Sequence, residues 1–366
     1  MMGVLRFFGS LRLTVSCLVW LCVLLVWGTW VQRELGLHLA QDRFFYSWFI
    51  LAGGFIPLPG GGLTLGLLTV NLLISLMVHM TIGWRMWGIT LTHAGLLLLL
   101  TGGFFHRLTT EEAYLPLLEG QGSNVAWSYT DWEISLWASH AAVREVTAVD
   151  EADLRDGTLI DLPPVNCQIV ATRWDDHAVA TETGDREIPT AWEAATPGND
   201  PQTHLPAAEI TLTREGSEPV NVSLYGGAPI PQEVHLGEDC LHIVLRRKRL
   251  PLPAFVELIQ FKKELHPNSQ SFKSFTSVVE LRGNDTHRTA VIEMNKPLRL
   301  TPYTFFQASF AEGNEGKVSQ FAVTRHFGRL LPYISSGMVF VGMAGHFLGQ
   351  MIAQQRQQRR RKEAAA

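Results

Sequence analysis

The stretch Met86–Phe105, MWGITLTHAGLLLLLTGGFF, constrains the chain more than any other. It holds 20 residues without a formal charge, which as a helix is about 30 Å, the thickness of one bilayer core. Near its middle lies one titratable side chain, His93, followed by Ala94 and Gly95 and then five leucines. Hydrocarbon offers an imidazole no hydrogen-bond partner, so such a residue faces a bundle interior, another helix or a ligand. A bond to a neighbouring helix is the plain reading of His93, and a metal or cofactor ligand the sharper one.

Charge divides the rest. Residues 106–328 carry a net charge of −12 and the remainder +8. An acidic block framed by apolar segments with basic ends describes an integral membrane protein with one large extramembrane domain. No basic face suits nucleic acid, so that class of partner is discarded. The four cysteines, Cys17, Cys22, Cys167 and Cys240, form neither a disulfide framework nor a CxxC or CxxCH motif. The chain therefore has no thioredoxin-like pair and no attachment site for a c-type haem of its own.

In order, the expected elements are an uncleaved membrane helix over about 13–30, an outer loop over 31–62, and helices over 63–83 and 86–105 joined by a short turn at Trp84–Arg85. The aromatic residues Phe44, Phe45, Tyr46, Trp48 and Phe49 in the loop suit an interfacial belt, or a platform for a flat aromatic ligand. Over 106–328, segments such as WEISLWA, AEITLT and TSVVELR alternate with period two between Gly, Pro and Asn turns. The expected domain is β-rich and sandwich-like. A fourth helix over 329–352 and a basic tail over 353–366 end the chain. Arg6, Arg12, Arg85 and the cluster Arg356, Arg359, Arg360, Arg361 and Lys362 fall on one side of four spans. The positive-inside rule then puts both termini in the cytoplasm and the acidic domain outside it, with the chain in the inner (cytoplasmic) membrane.

Three histidines lie in the membrane segments: His79, His93 and His346. They sit about 6, 10 and 9 Å inside the cytoplasmic boundary at 1.5 Å per residue. Snorkelling or interhelical bonding accounts for them one by one, His79 most readily. Two neutral imidazoles facing across a plane would instead suit haem iron. The small residues around His93 and His346, including the Gly345/Gly349 GxxxG pair, serve close helix packing or admit a porphyrin edge. In the β-rich block nothing is catalytic. RWDDH at 173–177 reads as a polar loop rather than a metal corner, and RRKR at 246–249 as a solvated charge run.

Several segments, in this order, resemble the ResB-like proteins of System II cytochrome c biogenesis. They are FFGSLRLTVSCLVWLCVLLVWGTWVQ, FFYSWF…PLPGG, Asn71, THAGLLLLLTGGFF, MNKPLRLTPYTFFQASF and VTRHFGRLLPYIS. The resemblance implies four membrane helices with a large extracytoplasmic β-rich domain between the third and fourth. It implies a non-enzymatic subunit that helps carry haem b across the membrane and present it to apocytochrome c. The implied partner is a CcsA/ResC-type protein, because no tryptophan-rich WWD segment occurs here, and a thiol-reducing protein is a further candidate. By position His93 corresponds to the family's haem-associated histidine, while His346 and His79 carry over less directly. The competing reading is a non-haem scaffold whose β-domain binds apocytochrome c or a thiol-reducing partner. A quinol-oxidising enzyme would need a second cofactor site that the sequence does not offer.

Overall fold

The computed structural model describes residues 6–79, 86–138, 145–183, 189–195, 205–237, 239–267, 272–283, 286–313 and 316–364. The chain divides into two units: Met1–Thr110 with His326–Ala366, and Glu111–Arg325. The expected turn at Trp84–Arg85 lies outside the described residues.

The first unit is helical. α1 (Leu11–Gln41), α2 (Gly61–His79), α3 (Trp87–Thr109) and α5 (Leu331–Glu363) are its long helices, and a short helix, α4 (Glu151–Arg155), belongs to the other unit. Three of them contain spans long and apolar enough to cross a membrane, within Leu11–Leu37, Trp87–Thr109 and Leu331–Glu363. The apolar part of α2, Gly61–Met77, is shorter. The chain is a membrane protein, and its basic end is not a loose tail but the last turns of α5.

The expected outer loop over 31–62 is structured throughout. α1 runs on to Gln41 with a kink at Gly36 (φ 77°), where a residue with a Cβ would be strained. A π-helical turn, Asp42–Tyr46, then leads into a hairpin of β1 (Phe49–Ala52) and β2 (Ile56–Pro59). Phe44 does not join an interfacial belt. It is 1 % exposed and packs with Leu24, Ile50 and Trp27, whose ring it meets edge-on at 5.1 Å. Asn71 of α2 ties the start of the chain by donating to the Phe8 and Ser10 carbonyls and accepting from the Thr14 hydroxyl at 2.7 Å.

The second unit is all but entirely strand. Its elements are β3 (Glu111–Leu118), β4 (Gly122–Ala138), β5 (Thr147–Asp150), β6 (Ile160–Leu162), β7 (Cys167–Thr183), β8 (Pro189–Ala194) and β9 (Leu205–Thr213). They continue with β10 (Val220–Tyr225), β11 (Gln232–Leu236), β12 (Asp239–Leu265), β13 (Phe272–Gly283) and β14 (Thr286–Glu293). β15 (Leu298–Leu300), β16 (Tyr303–Gly313) and β17 (Gly316–Arg325) complete it. One sheet runs β14-β13-β12-β4-β3-β17-β16-β15, with β11 on β12 and β5 on β4; the other runs β10-β9-β7-β6, with β8 on β7.

Two cores follow, and β12 serves both. Leu241, Ile243 and Leu245 enter the core shared with the smaller sheet, whereas Leu250, Leu252, Val256 and Leu258 enter the other. The parity of the core-facing residues changes across an interruption of the pairing with β4, where Lys248 of β12 stands against residues 128–131 of β4, a bulge that re-aims the strand. RRKR at 246–249 sits at this bulge and is anchored rather than freely solvated. Arg246 pairs with the buried Glu133 at 2.8 Å. Arg247 lies over the Trp132 ring at 4.2 Å and donates to the Tyr129 carbonyl at 2.6 Å. Lys248 pairs with Asp150 at 2.5 Å, and Arg249 covers Trp127 at 5.0 Å. Burial pushes the Arg247 pKa down; at Lys248 burial does the same but the Asp150 carboxylate outweighs it. RWDDH lies in β7 and not in a loop, with Arg173 on Asp175 at 2.8 Å and Asp176 on Arg155.

Candidate functional site

The helix seam that carries the membrane histidines is built from glycine. On α3 the buried residues are Gly88, Gly95 and Gly102, seven apart, and on α5 they are Ser335 and Gly342, also seven apart. Seven residues are close to two helical turns, so each set forms one stripe. A Cβ on Gly88 would lie 2.6 Å from the Gly342 carbonyl oxygen and 2.7 Å from the His346 nitrogen. A Cβ on Gly95 would lie 2.9 Å from the Ser335 carbonyl oxygen. Backbone therefore meets backbone along the seam. The small residues are used for packing, and at Gly88 the space is filled by α5 itself. The GxxxG pair is split: a Cβ on Gly345 would lie 2.3 Å from the Trp87 ring of α3, whereas one on Gly349 would meet nothing within 4 Å.

His93 follows Gly88 by five residues, which places it about 140° around the helix from the seam. Its ring is half-buried, and Nδ1 lies 2.8 Å from the Ile89 carbonyl oxygen. A carbonyl only accepts, so Nδ1 carries the proton and donates it. In the neutral ring Nε2 then holds the lone pair, the arrangement in which histidine ligates a metal while its other nitrogen is held by a hydrogen bond.

His346 is placed differently. Its backbone abuts Gly88 on the seam, its ring meets Phe347 at 5.6 Å, and its Nε2 lies 3.0 Å from the Gln350 side-chain amide nitrogen. That amide occupies Nε2, one of the two ring nitrogens through which histidine ligates a metal. The fold thus brings His346 onto α3, but on another side from His93. His79 ends α2, and its side chain lies outside the described residues.

Sequence reasoning missed a pair of histidines. His106, in the last turn of α3, and His326 have ring centroids 5.0 Å apart, and the Thr110 hydroxyl contacts Nδ1 of both. With 219 residues between the two histidines, nothing local could have signalled it. Among the described residues no group of three or more His, Cys, Asp or Glu is arranged to hold a metal ion. All four cysteines are free, and burial raises the Cys167 pKa.

A ResB-like family model matches residues 83–331, which is more than half of the chain. The chain belongs to the ResB-like family. Membership ties it to cytochrome c biogenesis. No curated protein matches the chain.

Proposed function

We propose that this ResB-like protein is the non-enzymatic subunit of a haem delivery complex, working with a CcsA/ResC-type membrane protein to carry haem b outward and present it to apocytochrome c. Haem is cargo here, and His93 is an axial ligand to its iron. The observation that carries this reading is the His93–Ile89 hydrogen bond, which in the neutral ring leaves the lone pair on Nε2, at a position about 140° around α3 from the glycine seam. A ligand so placed meets its haem on the outer face of the helix pair, so the second axial ligand comes from the partner. His346 is the in-chain alternative once Gln350 moves, and His79 is the third candidate. In this reading four helices span the inner membrane, both termini are cytoplasmic, and the β-rich unit works outside the cytoplasm. A thiol-reducing protein would deliver the reduced apocytochrome to it.

The test is His93→Ala, expressed with the partner. Alanine removes the iron–nitrogen bond and is cheaper in lipid than histidine, so the protein accumulates normally. Its Soret absorbance and c-type cytochrome assembly fall at least tenfold, and added imidazole partly restores haem retention. His346→Ala gives a milder defect and His79→Ala little. Unaltered haem spectra and cytochrome maturation in His93→Ala would return the assignment to the scaffold reading, in which the β-domain alone holds apocytochrome c or a thiol-reducing partner.

A further inference from the structure

The β1–β2 hairpin has one finished edge and one open edge. Gly60 N–H donates to the Trp48 carbonyl at 2.9 Å, so these two residues form a hydrogen-bonded pair. In an antiparallel ladder such pairs alternate with pairs whose N–H and C=O groups point outward. Phe49 lies opposite Pro59, Ile50 opposite Leu58, Leu51 opposite Pro57 and Ala52 opposite Ile56. The outward-pointing residues are therefore Pro57 and Pro59 on β2, and Phe49 and Leu51 on β1. Proline has no N–H, so the outer edge of β2 offers no donor. Its Pro59 carbonyl accepts the Trp20 indole N–H at 2.8 Å, which closes that edge against α1. The β1 edge keeps two N–H and two C=O groups, and among the described residues β1 pairs with β2 alone. The side chains beside it, Phe49 and Leu51, are 61 % and 52 % exposed.

The surroundings decide what can cover this edge. Ile50, between its two outward residues, shares a buried cluster with Leu24, the midpoint of the apolar span Leu11–Leu37. With Leu11–Leu37 crossing the bilayer, as its length and composition allow, that depth excludes water, and lipid chains neither donate nor accept hydrogen bonds, so exposed backbone there has to be covered by protein. We propose that the β1 edge accepts an extended apolar segment of a second membrane-embedded protein, which pairs with the backbone of Phe49 and Leu51 by strand addition. The open edge is independent of any haem ligation. Identifying the second protein as the CcsA/ResC-type partner rests on the function proposed above.

The experiment uses the full-length chain co-expressed with that partner and carrying Leu51→Pro. The outward N–H of Leu51 takes no part in the β1–β2 ladder, and edge strands tolerate proline at such positions, as Pro57 and Pro59 illustrate. The hairpin should persist, with protein level and melting temperature unchanged, while co-purified partner falls at least tenfold. Leu51→Ala, which keeps the N–H, should lower it less than threefold. Amide exchange on the unmutated complex supplies a second measurement: Phe49 and Leu51 should exchange at least tenfold more slowly in the complex than in the chain alone. The proposal is overturned by full partner retention with Leu51→Pro together with unprotected amides. It is equally overturned if the wild-type chain does not co-purify with the partner, or if Leu51→Pro splits a homodimer instead. Soret absorbance of the same samples separates the two ideas. A proline-sensitive complex without haem keeps the edge and removes the haem role; a haem-loaded complex indifferent to the proline does the reverse.

Discussion

Asp176 is pulled in opposite directions by its neighbours. Burial alone would raise its pKa, but Arg155, which donates from both terminal guanidinium nitrogens, and the Trp174 indole at 3.1 Å outweigh it and hold the pKa below the ordinary value. A carboxyl whose folded pKa is depressed adds stability that is complete above its unfolded pKa, about 3.9, and is lost as pH falls through the folded one. Asp176→Asn should therefore lower the melting temperature at neutral pH, with the difference from wild type shrinking towards zero as pH drops below about 4. Glu151, on the other side of Arg155, behaves oppositely. Burial raises its pKa, so its contribution is present at acid pH and lost as pH rises through the raised value. A melting-temperature difference that stayed constant from pH 7 to pH 3 would show that Asp176 gains nothing from Arg155.

At the scale of elements the α3–α5 seam makes the sharpest prediction, because glycines on one helix have opposite surroundings. Gly88→Ala places a methyl against backbone atoms that cannot rotate away. The helices must part, at a cost of about 1–3 kcal/mol. Around Gly103 there is nothing within 4 Å, so Gly103→Ala should change stability by less than about 1 kcal/mol, in the favourable direction from helix propensity. Thermal unfolding of the two variants in detergent measures the contrast. Equal effects would mean that the seam is not backbone-to-backbone. The same pair probes His93 indirectly. Parting of α3 from α5 shifts His346, which abuts Gly88, while the His93–Ile89 hydrogen bond lies within one turn of α3 and should survive.

For the whole molecule the distribution of basic residues predicts orientation. A reporter active only outside the cytoplasm should work when fused within residues 111–325 and fail when fused after Lys362. The reverse pattern would invert every depth argument made for His93. The β-rich unit is also expected to fold as one block, because β4 and β12 run through both of its cores. Leu136 and Leu258 are fully buried, one in each core, and each such side chain is worth about 1.5–3 kcal/mol. Unfolding of that unit should therefore be a single transition by both circular dichroism and tryptophan fluorescence, and two separated transitions would show that the cores are independent.

Apolar runs and period-two alternation depend only on neighbours in the chain, and so the helices of the membrane unit and the strand-rich character of 111–325 were legible in the sequence. The order of quoted segments, from FFGSLRLTVSC to VTRHFGRLLPYIS, likewise carried the ResB-like resemblance, and His93 stood out because hydrocarbon leaves an imidazole few partners. The hairpin hidden in 31–62 was not legible: its prolines read as turn formers until the register turned them to an outer edge. Nor was the role of RRKR, because a bulge is a property of two strands and Glu133 lies more than a hundred residues from Arg246. The facing of the histidines also waited on packing. Three residues at similar depth look equivalent in sequence, but the seam chosen by Gly88, Gly95 and Gly102 turns His93 away from α5 while holding His346 against α3. Sequence set which segments leave water, since that depends on composition, whereas only tertiary contact decided which face of each meets another.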